Sequence, residues 1–292
     1  MANKGKNTTD KFEFSSNVVK FEDEEFKRVI GYVYNTIGIN LTEKKRNLVT
    51  ARLQKVLRAR KFTNFRDYYD ALVADKSGEM LSELANNIST NHTFFYRENA
   101  HFDFFYERTL PEIEERLKAN NSNDIRVWSA GCSSGEEPYM LIMLMKEYFV
   151  DDYARLDAGV LATDISQNAL RFAKRGVYPK DRLKYMPDKY RKKYFKKLSK
   201  EESRVIDEIM KEVTYRRFNL MNKTFPFKKP FDAIFCRNVM IYFDEKTKAE
   251  LARKFYDSIV PGGYLFIGHS ESINRVEGCR FKYIQPALYR KL

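Results

Sequence analysis

The sequence predicts an α/β fold, a doubly wound and largely parallel sheet covered on both faces, with a small all-α region in front of it. Three observations carry this prediction. After Asp124, runs that read as strands (Ile125–Cys132, Gly159–Thr163, Phe231–Cys236, Gly263–Gly268) alternate with helix-like stretches (Glu137–Val150, Ser166–Arg175, Glu245–Val260). Before Asn91 there is no strand alternation, only apolar residues at helical spacing. Between the two regimes, Ile125–Pro138 reads I-R-V-W-S-A-G-C-S-S-G-E-E-P. A strand, a small-residue turn and a helix in that order form the corner where doubly wound domains hold a nucleotide.

The helical region can be read element by element. Phe21–Gly38 places Phe26, Val29, Ile30, Val33, Tyr34 and Ile37 at a helical period. Thr42 is a plausible N-cap for a second helix running to about Arg60. Seen end-on, Val49, Leu53, Val56 and Leu57 cluster on one side of that helix. Lys44, Lys55 and Arg58 lie opposite, with Arg52 on the flank. Such a basic face is usually just solvated; the alternative is a docking face for an acidic helix or for nucleic acid. It lacks interleaved aromatics, which argues against single-stranded RNA. Phe65–Asp75 and Glu79–Ile88 complete the region, with Ser77-Gly78 as punctuation. The expected division is residues 1–90 as a helical domain and 91–292 as the α/β domain. Within the latter, the long basic stretch 176–217 is an insertion, and Phe281–Leu292 pairs at a sheet edge.

Composition narrows the function. The 292 residues, 43% hydrophobic and 15% aromatic, suffice for two domains with a sizeable core. Cys132, Cys236 and Cys279 have no paired spacing, which suits a reducing compartment. His92, His101 and His269 pair neither with one another nor with a cysteine at metal-ligand spacing, which argues against a structural metal or a histidine dyad. No signal peptide and no membrane-spanning run is evident, so a cytoplasmic, uninserted protein is expected. Nothing points to an obligate oligomer. The net charge of +13 calls for an acidic partner without identifying it.

The chemistry concentrates at the strand ends. The loop Gly131–Gly135 lacks the G-x-G-x-x-G of a dinucleotide site, and Glu136 and Glu137 stand where a pyrophosphate would meet the helix. Carboxylates there repel phosphate and suit a cation. S-adenosylmethionine, with its ammonium and sulfonium, fits such a site, so methyl transfer is the predicted reaction. Asp164, past the second strand, can accept ribose hydroxyls or merely cap the next helix. Arg237, Asn238 and Tyr242 follow the third strand and would face cofactor and substrate. His269 has no partner nucleophile elbow, so a structural role is expected. The Pro-Pro element of nucleic-acid amino-methyltransferases is missing. An RNA methyltransferase and a non-catalytic cofactor sensor remain the alternatives.

Four stretches, Asn91–Glu98 (N-H-T-F-F-Y-R-E), Trp128–Tyr139, Phe231–Asp244 and Gly268–Glu271, together resemble the bacterial chemotaxis-receptor glutamate O-methyltransferases. The resemblance spans nearly the whole chain. It implies a helical domain joined to a Rossmann-like, S-adenosylmethionine-dependent domain with a small antiparallel insertion. By motif, Asn91, Thr93 and Arg97 approach the cofactor, Glu137 holds its ammonium and Asp164 its ribose. Gly131, Asn219, Leu220, Arg237 and Asn238 complete the pocket, and Arg97 and Tyr242 match the catalytic pair. Arg52, Lys55 and Arg58 match the face used on the acidic helices of receptors. One departure concerns the glycine-containing insertion loop by which some members hold a receptor tail pentapeptide. Lys196–Lys211 has no glycine and reads as charged and possibly helical, so tail tethering is expected to be absent.

Overall fold

Four helices, α1 (Asp23–Ile37), α2 (Arg46–Arg60), α3 (Phe65–Ala74) and α4 (Glu79–Ile88), make up the front of the molecule in the computed structural model, which describes residues 19–89, 92–273 and 276–292. Their ends are set locally. Glu22 and Glu25 close a capping box on α1, and Gly38 ends that helix in the left-handed region. The Asn64 side chain accepts the Asp67 N–H at the start of α3. One turn of 3₁₀ helix, Glu43–Lys45, precedes α2, and the Thr42 side chain makes no cap bond. Val49, Leu53, Val56 and Leu57 of α2 are buried, as the end-on projection requires.

The main sheet has seven strands in the order β6-β2-β1-β7-β8-β10-β9. They are β1 (Asp124–Ala130), β2 (Asp157–Asp164), β6 (Val213–Arg217), β7 (Phe231–Cys236), β8 (Ile259–Ile267), β9 (Phe281–Gln285) and β10 (Leu288–Lys291). The first five are parallel; β10 and β9 close one edge antiparallel, as expected for the C-terminal tail. Side-chain alternation sends Val127, Ala233 and Phe266 to one face and Trp128, Ile234 and Leu265 to the other. On the first face lie α5 (Asn99–Phe104), α6 (Leu110–Ala119), α7 (Glu136–Phe149) and α8 (Gln167–Arg175), the first two joined through a π-helical turn. On the second, α11 (Glu245–Ser258) and the four N-terminal helices share one continuous core. Trp128 anchors that core, ringed by Phe218, Phe225, Phe227, Phe231 and Phe255 at 4.8–5.9 Å, with its indole N–H on the Thr163 hydroxyl.

A second, three-stranded antiparallel sheet, β3 (Val177–Pro179), β5 (Glu202–Val205) and β4 (Phe195–Lys197), forms the insertion with α9 (Asp188–Tyr194) and α10 (Asp207–Met210). Two expectations are corrected here. Residues 196–211 are mostly a β4–β5 hairpin, and only 207–210 are helical. The insertion also ends before Val213, because 213–217 is an edge strand of the main sheet.

Candidate functional site

The carboxyl ends of β1, β2 and β7 open onto a cavity of about 410 Å³, closed above by the segment 92–97 and by Ile37, Ile39 and Ala85 of the helical region. The floor needs glycine. Gly131 has φ +86°, and a Cβ there would stand 2.4 Å from Val239 Cγ2; at Gly135, φ +92°, it would meet Ala173 Cβ at 2.7 Å. Gly131→Ala should therefore cost about 1–3 kcal/mol of stability and weaken cofactor binding. Denaturant unfolding and calorimetry check both, and a variant as stable as the parent would contradict the strain.

The two adjacent carboxylates are divided by the helix. Glu136 is fully buried, its carboxylate held by the Ser134 hydroxyl at 2.7 Å and by Arg182 of the insertion at 2.9 Å. Glu137 turns to the cavity, accepting the Ser129 hydroxyl at 2.7 Å and Arg237 Nη1 at 3.0 Å. Burial pushes Glu137 above the usual carboxylate range, opposed chiefly by Arg237. A ligand cation at that point would relieve the same burial. Asp164 accepts the backbone N–H of Ser133 and of Ser166, each at 2.8 Å, which aims it across the mouth of the β1 turn. Ser166, not Asp164, caps α8 by accepting the Ala169 N–H. Burial also raises Asp164, against those backbone bonds.

Arg237 is nearly buried and reaches Glu98 at 3.2 Å, Glu137 at 3.0 Å and the Arg97 carbonyl. It is thus a bridge between two carboxylates. Asn238 donates to Glu98 Oε1 at 3.2 Å. Glu271 is buried beneath this loop with its carboxylate on the backbone N–H groups of Gly268, Asn238 and Ile241. The turn Met240–Tyr242 that follows brings Tyr242 to the cavity, and its carbonyl accepts the Asn40 N–H at 2.8 Å. Four non-glycine residues here, Tyr96, Glu98, Ser133 and Asn238, have φ between +48° and +66°. Strain gathered in this way marks a built site.

Of the residues expected at the site, Thr93, Arg97, Gly131, Glu137, Asp164, Asn219, Leu220, Arg237, Asn238 and Tyr242 all line this one cavity. Asn91 lies outside the described residues. Arg97 donates to the His92 carbonyl, and Asn219 donates to the Thr36 carbonyl at 2.6 Å, tying the helical region to the rim. Arg52, Lys55 and Arg58 stand apart on α2. Lys55 and Arg58 are exposed, while Arg52 Nη1 donates to the Ile88 carbonyl at 2.6 Å and finishes α4. The sequence reading missed the supporting roles of Glu98, Glu271 and Arg182. It also kept the histidines apart, whereas the His101 and His269 rings lie 4.8 Å apart.

A carboxylate at the first helix of a parallel sheet, a second acid after the next strand and an apolar wall fit a protein of the nucleoside-cofactor class. Comparison with known proteins makes it particular. Residues 91–287 match the family model described as CheR methyltransferase, SAM binding domain, and residues 24–89 match its all-alpha domain. A chemotaxis protein methyltransferase of Borreliella burgdorferi is 44% identical over 281 residues, covering 96% of this chain and 98% of that one. That of Escherichia coli is 34% identical over 258 residues, covering 87% and 86%. A probable chemotaxis protein methyltransferase of Rhizobium etli is 36% identical, covering 88% and 96%. The chain belongs to the CheR methyltransferase family. Its cofactor is S-adenosylmethionine, and the site fits that group: a carboxylate, Glu137, faces the cavity, and apolar Ile37, Ile39, Ile165 and Leu220 line its wall.

Proposed function

We propose that this methyltransferase esterifies glutamate side chains on the acidic helical cytoplasmic domain of chemotaxis receptors, acting as a cytoplasmic monomer in sensory adaptation. The observation that carries it is the placing of Arg97 and Tyr242 on the wall of the carboxylate-lined cavity, with Lys55 and Arg58 exposed on α2. The names of the relatives support a chemotaxis substrate. Among the described residues, no helix is long and apolar enough to cross a membrane.

S-adenosylmethionine supplies an electrophilic methyl group on a cationic sulfur. The chain's task is to bind, orient and dry the site. Glu137 would hold the ammonium and Asp164 the ribose. Asn219 and Leu220, with Gly131 below, would shape the base pocket, and Thr93, Asn238 and Asn91 would complete it. Arg237 opposes the burial that raises Glu137 and so favours its ionised form. A glutamate, with a reference pKa of about 4.3, is already a nucleophile at neutral pH and needs no general base. Its charge fades as the ester forms, so a tight bidentate clamp would hold the ground state. Arg97 therefore attracts the anion and shapes the pocket, while the Tyr242 hydroxyl orients one acceptor oxygen. Excluding water favours a reaction in which two charges disappear.

Tyr242→Phe should lower kcat by about 10–100-fold and leave cofactor Kd nearly unchanged. Equal losses in turnover and cofactor affinity would refute that role. Charge reversal at Lys55 and Arg58 together should weaken receptor-fragment binding by roughly tenfold at low salt, with the difference shrinking as salt rises. Calorimetric titration of a receptor fragment checks it; unchanged affinity would remove α2 as the docking face.

Tail-pentapeptide tethering is absent on this reading. The β4–β5 turn, Leu198–Glu201, is closed by Ser199 Oγ accepting the N–H groups of Glu201 and Glu202, with no glycine to open it. Measurable binding of an isolated receptor C-terminal peptide would contradict this. The RNA reading has no observation of its own: the basic face of α2 carries no stacking aromatics.

A further inference from the structure

Beside the cofactor cavity the fold gathers three metal-ligating side chains that the sequence holds apart. Glu98 and His101 stand at the start of α5, and His269 follows β8. One donor atom from each lies within 4.8 Å of the other two. The imidazoles of His101 and His269 meet edge to face, at 78°. His101 is completely buried, and neither ring nitrogen meets a partner at full hydrogen-bonding geometry. A buried imidazole left in that state is unusual. Its Nδ1 lies 3.6 Å from Glu98 Oε2, just beyond hydrogen-bonding distance. The carbonyl of Pro286 approaches the same ring. A backbone carbonyl behind an imidazole is how metal-bound histidines are commonly held.

The charges suit a cation. Arg237 pairs with Glu98 at 3.2 Å and with Glu137 at 3.0 Å, so two carboxylates share one guanidinium.

We propose that Glu98, His101 and His269 form a site for a borderline transition-metal dication, with Zn²⁺ the best match. Two imidazoles and a carboxylate are a common zinc donor set that leaves one position for water. Zinc–ligand bonds of about 2.0–2.2 Å require the donors to close from their present spacing. His269 is exposed, which gives the ion its way in. The site has a consequence for the reaction. Glu98 is what holds Arg237 and Asn238, and Arg237 holds Glu137. A metal on Glu98 competes with that hold and loosens the cofactor site, so the ion acts as an inhibitor.

The test uses the untagged, chelator-treated full chain. Co²⁺ titration should give visible d–d absorption that saturates at one equivalent and is displaced by Zn²⁺. His269→Ala, a surface change, should weaken metal binding at least about tenfold, the scale on which losing a support of a metal site is felt. Cys279→Ser should leave it unchanged. Cofactor Kd, read by calorimetry, should rise several-fold with Zn²⁺ in the parent and not in His269→Ala. Absence of the Co²⁺ spectrum, binding that survives His269→Ala, or binding lost in Cys279→Ser would each overturn the assignment.

Discussion

Arg237→Met should be the most damaging single change in the molecule, lowering stability by about 3–5 kcal/mol and abolishing cofactor binding. The guanidinium is almost wholly buried, 3.2 Å from Glu98 and 3.0 Å from Glu137. Methionine fills much of the space but leaves two buried carboxylates with no cation between them. The deficit should depend on pH in a definite direction. Without Arg237, the folded-state pKa values of both carboxylates rise above their unfolded values, so folding takes up protons. The variant therefore recovers stability relative to the parent as pH falls through that raised range, and loses it again toward neutrality. Urea unfolding of both proteins at pH 5 and pH 7.5 reads the difference directly. A variant within about 1 kcal/mol of the parent at pH 7.5 would mean that the bridge contributes little.

Glu137→Gln should weaken S-adenosylmethionine binding by about 100-fold, equivalent to roughly 3 kcal/mol, the upper range for one charge-assisted hydrogen bond. The amide is nearly isosteric and still accepts the Ser129 hydroxyl, so the fold survives. Its neighbour supplies the contrast. Glu136 is spent on Ser134 and Arg182, away from the cavity. Glu136→Gln should therefore cost stability while leaving cofactor Kd within about threefold of the parent, a difference well under 1 kcal/mol. If the two variants lose cofactor affinity equally, the division of labour in this helix turn is wrong.

The adjacent carboxylates also show where the sequence could be read and where it could not. The motif G-C-S-S-G-E-E-P announces a cofactor corner, because the chemistry of a loop and a helix start is written in consecutive residues. Which glutamate faces the ligand depends on Arg182, which comes from the insertion 46 positions beyond Glu136. Strand β6 reads as part of the insertion because, at the sheet edge, Thr214, Arg216 and Arg217 face solvent and look no different from a charged loop. The stretch 99–119 carries α5 and α6 joined by a π-helical turn, which disturbs the 3.6-residue period by which helices are recognised. Glu98 meets Asn238, and His101 meets His269, across more than a hundred residues, while Glu271 meets Asn238 across 33; no local periodicity marks these roles. By contrast α1 to α4, β1, β2, β7 and the α2 burial pattern follow from local periodicity, and the structure repeats them with their ends shifted by at most a few residues.

The account is tested most directly by incubating the protein with methyl-labelled S-adenosylmethionine and a cytoplasmic chemoreceptor fragment, then treating the product with mild alkali and counting volatile methanol. Carboxyl methyl esters release methanol under base, whereas N-methyl groups do not. The account predicts volatile counts that require the receptor fragment, fall about 10–100-fold in Tyr242→Phe, and disappear when the fragment's glutamates are replaced by alanine. Label that stays non-volatile, or that transfers to RNA in place of the receptor, would contradict it.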